Sequence, residues 1–154
     1  MFKKLENKYM YIFEKCQNTS GIMQKYYHFR LHRLSLKTHI QIPYTTKIGK
    51  NFSISHLGRL VINPKTIIGN NVTVGVGVVI GQENRGERKG CPVIGNNVWI
   101  GANVVIVGKI NIGNDVLIAP NAYVNFDVPD HSVVIGNPGV IKKKQDATKE
   151  YLNV

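Results

Sequence analysis

A chain of 154 residues carries one domain of ordinary size, so its 15 glycines and formal net charge of +11 belong to a single architecture. It has no apolar run of the roughly 18 residues a membrane-spanning helix needs. Its opening, "MFKKLENKYMYIFEKC", is charged throughout and lacks the apolar core and cleavage site of a secretory signal, so a cytoplasmic protein is expected. Cys16 and Cys91 are far apart and neither belongs to a CxxC pair, which argues against a disulfide framework and a cysteine zinc site.

Residues 1–41 hold eight basic residues (Lys3, Lys4, Lys8, Lys15, Lys25, Arg30, Arg33 and Lys37) against Glu6 and Glu14, a surplus of +6. No zinc-finger spacing, RNP-like motif or helix-turn-helix pattern accompanies that charge, so no nucleic-acid partner is expected. Phe2, Leu5, Tyr9, Ile12, Phe13 and Cys16 recur at helical spacing. Ser20 is placed to cap a second helix carrying Ile22, Met23, Tyr26, Tyr27 and Leu34. Residues 1–40 are therefore expected to form a short helical segment packed on the remainder of the chain.

From residue 41 the period is six. After Ile94 the chain reads IGNNVW, IGANVV, IVGKIN, IGNDVL, IAPNAY, VNFDVP, and the same register runs upstream through Ile42, Ile48, Ile62, Ile68 and Val74. Helices return apolar residues at three and four positions and half-buried strands at two, so neither explains a sustained six. Three hexapeptides, each a short strand and a turn, close a triangular coil of about 18 residues whose stacked positions form parallel ladders. Four to five such coils fit residues 41–141. The register breaks twice. Ile54 and Ile62 stand eight apart rather than six, with His56 between them. Ile80 and Ile94 stand 14 apart where two hexapeptides need 12, and residues 82–92, "QENRGERKGCP", read as an extended loop. Residues 142–154 form a basic tail without a core pattern, helical or disordered at its end.

"IGNNVWIGANVVIVGKINIGNDVLIAPNAYV" followed by "VPDHSVVIGNPGVI", together with "ISHLG", resembles the left-handed parallel β-helix acyltransferases, specifically the serine acetyltransferase-like branch, over residues 40–142. The resemblance implies a homotrimer with sites between neighbouring prisms, acetyl-CoA as donor and a hydroxyl as acceptor; no metal is expected, because none of His28, His32, His39 and His131 repeats His56 at coil spacing. It places His56 at the catalytic histidine. An alcohol ionises far above neutral pH, so its attack on a thioester needs a base. Gly81, Trp99, Gly101, Ala102, Ala119, Pro120, Lys142 and Lys143 fall where the coenzyme is expected.

At the acceptor side the chain departs from the family. The family's carboxylate that orients the histidine falls on Gln41, the Asp before the histidine on Ser55, the loop's Asp-Arg pair on Lys89 and Gly90, and the loop histidine on Cys91. With those charged groups gone, the leading expectation is acetyl transfer to a sugar hydroxyl in capsular or exopolysaccharide synthesis, with the basic N-terminal region facing an acidic saccharide or an anionic membrane surface. Serine O-acetyltransferase is the alternative within the enzymes. A non-catalytic β-helix scaffold is the alternative outside them, favoured by the lost carboxylate at Gln41.

Overall fold

The structure, a computed structural model, describes residues 5–152. Two helices lead: α1 (Leu5–Gln17) and α2 (Gly21–Thr38). The hexapeptides then wind as predicted, one short strand each except in the fifth coil, where the second face holds only a bridge from Val128 to Ile112. Coil one is β1 (Ile40–Gln41), β2 (Lys47–Ile48) and β3 (Ser53–Ile54); coil two is β4 (Leu60–Ile62), β5 (Ile67–Ile68) and β6 (Val72–Val74). Coil three is β7 (Val79–Gly81), β8 (Val93–Ile94) and β9 (Val98–Ile100); coil four is β10 (Val105–Val107), β11 (Asn111–Ile112) and β12 (Val116–Ile118). Coil five holds β13 (Tyr123–Val124) and β14 (Ser132–Ile135), after which β15 (Val140–Lys143) folds back antiparallel on β14.

Strands of equal place stack into three parallel faces. The first is β1-β4-β7-β10-β13, the second β2-β5-β8-β11, and the third β3-β6-β9-β12-β14, closed by β15. The chain is a left-handed parallel β-helix, mainly β, with its core inside the prism. Ile94, Ile100, Ile106, Ile112, Ile118 and Val124, the first residues of successive hexapeptides, are all buried there. Each aliphatic stacks on its equivalent one coil away, so the interior is a set of continuous apolar columns.

Cross-coil register measures both breaks. Val61 pairs with Val79 and Val105 with Tyr123, steps of 18; Gln41 pairs with Val61, a step of 20, and Val79 with Val105, a step of 26. The His56 turn thus inserts two residues. The loop inserts eight, not the two suggested by counting hexapeptides, because Ile80 to Ile94 is a single strand-to-strand step rather than two. Residues 82–92 lie between β7 and β8, and Glu83 and Gly90 exchange two backbone hydrogen bonds of 3.0 Å that pinch the loop at its base.

α1 buries Tyr9, Ile12, Phe13 and Cys16 on the first coil, where the Tyr9 hydroxyl donates to the Ile42 carbonyl at 3.1 Å. Phe2, placed on the same helical face in the sequence, lies outside the described residues. α2 corrects the expectation for its apolar residues. It buries Leu31 and Thr38, with Tyr27 and Leu34 partly buried beside them, while Ile22, Met23 and Tyr26 are exposed. Ser20 occupies the N-cap position without a side-chain cap bond. Among the described residues no helix is long and apolar enough to cross a membrane.

The C-terminal segment also differs from the expectation of a tail without core. Ala147 and Thr148 are buried against the third face, and the Tyr151 ring lies 4.8 Å from that of Trp99, tilted by 51°. Its anchor is Asp115, whose carboxylate accepts from the Ala147 N–H at 3.1 Å, the Thr148 N–H at 3.0 Å and the Thr148 hydroxyl at 2.9 Å.

Candidate active site

The edge joining the third face to the first carries the histidine. In coils two to four, three residues span this corner: Gly75–Gly77, Gly101–Asn103 and Ala119–Asn121. In coil one the corresponding turn has five, Ser55–Arg59, and the two extra residues push His56 and Leu57 out into solvent. Gly58 permits the return. Its φ is +146°, and a Cβ there would lie 2.5 Å from the Val76 side chain of the next coil, so only glycine fits without movement. Ser55 fixes the other end, its N–H donating to the Val74 carbonyl at 3.0 Å and its hydroxyl to the same oxygen at 3.2 Å.

Below His56 on the same edge lie Gly101, Ala102, Ala119 and Pro120. Gly101 is held by close backbone approach: a Cβ would meet the Pro120 nitrogen at 2.6 Å. The edge is consequently a shallow strip with backbone near its surface, suited to an extended arm laid along it.

Ser55 and Trp99 meet in a cleft of about 400 Å³ on the third face, beside the His56 turn. Ser53, Thr73 and Trp99 occupy one outward ladder there, in register on β3, β6 and β9. Asn7 of α1 and Tyr151 of the C-terminal segment complete the walls, so the described lining is hydroxyl, amide and aromatic with Ile54 and Leu152 as its aliphatic members, and carries no charge. Sequence reasoning misses Thr73 and Tyr151. Thr73 is detectable, since it stands one coil from Trp99 at the same hexapeptide position; Tyr151 is not, because no repeat reaches it.

The other expected residues lie elsewhere. Gln41 faces outward from β1 into a separate cleft of about 490 Å³ under α2, which His28, His32 and His39 also line. Among the described residues His56 has neither a hydrogen bond nor a carboxylate within 4 Å, so Gln41 does not orient it within one chain. Gly81, Lys89 and Cys91 sit on or beside the loop, which leaves the prism at the edge between the first and second faces. Cys91 donates its S–H to the Asn63 amide oxygen at 3.3 Å. Burial pushes its thiol pKa up, partly offset by the charge of Lys65, so little thiolate is available for nucleophilic work. Lys142 and Lys143 on β15 pair opposite Val133 and Ser132, toward the far end of the third face from the His56 edge. Among the described residues no group of three or more His, Cys, Asp or Glu is placed to hold a metal ion.

Comparison with known proteins bears on the same region. Residues 91–125 match the bacterial transferase hexapeptide family, described as six repeats. The chain is 40% identical over 107 residues to a serine acetyltransferase of Staphylococcus aureus, covering 70% of this chain and 50% of the relative. It is 36% identical over 102 residues to that of Bacillus pumilus, covering 66% and 47%. Among solved structures it superposes on Neisseria gonorrhoeae serine acetyltransferase in complex with serine with a TM-score of 0.77 at 25% identity, covering 91% of this chain and 57% of that one. The chain spans about half the length of the curated relatives it matches.

Proposed function

From a chain that fits the hexapeptide-repeat acyltransferases of the serine acetyltransferase-like branch, we propose an acetyl-CoA-dependent O-acetyltransferase, a cytoplasmic homotrimer with His56 as general base. The observation that carries this reading is the two-residue insertion that projects His56 from the prism edge, the same edge on which Gly101, Ala102, Ala119 and Pro120 follow beyond the Gly75–Gly77 corner. The pantetheine arm of the donor lies along that strip. The His56 imidazole takes the acceptor hydroxyl proton as its oxygen forms the C–O bond to the thioester carbonyl; the tetrahedral adduct then breaks its C–S bond, and the departing sulfur receives the proton. Trimer formation supplies what one chain lacks, since the loop and His56 stand on different edges and only a neighbour's loop can close over the base.

L-serine is the acceptor best supported by the relatives. A sugar hydroxyl is the second reading, favoured by the uncharged, Trp-floored cleft beside Ser55, which offers stacking and hydroxyl hydrogen bonds rather than partners for a zwitterion. Release of CoA thiol from acetyl-CoA, followed with L-serine and with oligosaccharides, tests both. His56→Ala is expected to lower turnover on the true acceptor by about 10²-fold or more. Unchanged turnover removes His56 as base, and failure of the wild-type protein to bind acetyl-CoA favours a scaffold instead.

A further inference from the structure

α2 has two apolar stripes on opposite sides. Tyr27, Leu31, Leu34 and Thr38 follow one another at steps of four, three and four and pack toward α1 and the prism. Ile22, Tyr26, Phe29, Arg33 and Leu36 follow steps of four, three, four and three, a second line on the solvent side. Its apolar members are strongly exposed: Ile22 by 83%, Phe29 by 60% and Leu36 by 66%. Such a line on a helix already packed on its other side is not needed for the fold.

The charge around it has one sign. No acidic residue occurs between Glu14 and Glu83, so α2 contributes Lys25, Arg30, Arg33 and Lys37 and no acid of its own. Arg30, Arg33 and Lys37 join Lys8 of α1 in a groove of about 490 Å³ between the helices, floored in part by Tyr26 and Phe29. Among the described residues none of these four cations has a carboxylate within 4 Å. A groove offering cations without carboxylate partners, Arg30 resting against the Tyr26 ring and hydroxyl, beside exposed aromatic surface matches an amphiphile with an anionic head.

We propose that the outer face of α2 docks this protein on anionic phospholipid, with Ile22, Phe29 and Leu36 entering the acyl boundary and Lys8, Arg30, Arg33 and Lys37 meeting headgroup phosphates. A second copy is the competing occupant, and charge decides against it: face-to-face pairing on a two-fold axis would set these cations against their own copies with no acid between them. Helices lying in the membrane interface combine an apolar line with flanking Lys and Arg in this way. The inference does not depend on which acceptor the enzyme uses, nor on His56.

The test is flotation of the full chain with vesicles of phosphatidylcholine alone and of phosphatidylcholine with about 30% phosphatidylglycerol. Binding is expected only to the anionic vesicles and is reversed by salt. Arg30→Glu with Arg33→Glu, and separately Phe29→Ser with Leu36→Ser, are each expected to weaken it about tenfold or more. Far-ultraviolet circular dichroism and Trp99 emission check that both variants fold. Equal binding to neutral vesicles, or none to anionic ones, overturns the proposal. So does a Phe29/Leu36 variant that changes oligomeric mass while still floating with the vesicles, since the face would then belong to a second copy.

Discussion

Two buried threonines show how individual residues set local stability in this prism. Thr46 and Thr66 stand at the edge between the first and second faces, each completely buried, and neither hydroxyl has a hydrogen-bond partner among the described residues. Ile110 fills the equivalent place two coils beyond Thr66. Replacing an unpartnered buried hydroxyl by a methyl of the same shape removes a desolvation cost, so Thr66→Val is expected to stabilise by about 1 kcal/mol in denaturant unfolding. A lower unfolding midpoint would mean that the hydroxyl has a partner in solution. Asp115 acts in the opposite sense. Burial disfavours its charged form, but hydrogen bonds from His131 at 2.8 Å, from the Thr148 N–H and hydroxyl, and from the Ala147 N–H more than offset this and hold its pKa below the ordinary value. A carboxyl whose pKa is lowered on folding contributes stability above its unfolded value, near 3.9, and loses it as pH falls through the folded one. Docking of residues 146–152 is therefore expected to hold at neutral pH and to fail in acid below about pH 4. Trp99 is the single tryptophan and lies against the tilted Tyr151 ring, so its emission should shift to the red on that transition, and Asp115→Asn should cause the shift at neutral pH. Emission that ignores both changes would exclude Asp115 as the anchor.

Elements were legible in the sequence in proportion to their periodicity. The strands, the loop boundaries at 82–92 and the buried hexapeptide leads were readable because one six-residue rule repeats along the solenoid, and each unit reports on the next. α2 was legible as a helix but its inward face was not. Both of its stripes are apolar at helical spacing, and only the packing against α1 decides which one is covered. The C-terminal segment was opaque for a different reason. Its anchor is a single substitution in the turn positions Asn51, Asn71, Asn97 and Asp115, all left-handed in φ and stacked on one edge. Asn51 donates to Asn71 and Asn71 to Asn97, each at 2.9 Å; at the fourth rung a carboxylate replaces the amide and collects the chain end instead. One letter in "IGNDV" against "IGNNV" does not announce that role. His56 was legible as a register break, and its lack of an in-chain orienting partner was not, because Gln41 is close by family pattern but faces the α2 cleft.

For the whole molecule, the three edges of the prism divide the work. His56, the proposed base, stands on one edge and the loop on another, on a core of stacked columns too stiff to bring them together. That separation has a genetic consequence for the proposed trimer. A chain with His56→Ala still carries a sound loop, and a chain with residues 83–90 replaced by a short turn still carries a sound base. Each is expected to be inactive alone, yet random co-assembly in equal amounts pairs sound base with sound loop at about one site in four. Recovery of about a quarter of wild-type turnover in protein co-expressed from both genes checks this; a co-assembled product as inactive as its parents would mean each chain completes its own site. The heritable unit of activity is then a pair of neighbouring edges rather than a polypeptide, and two defective alleles can rescue one another within a single particle.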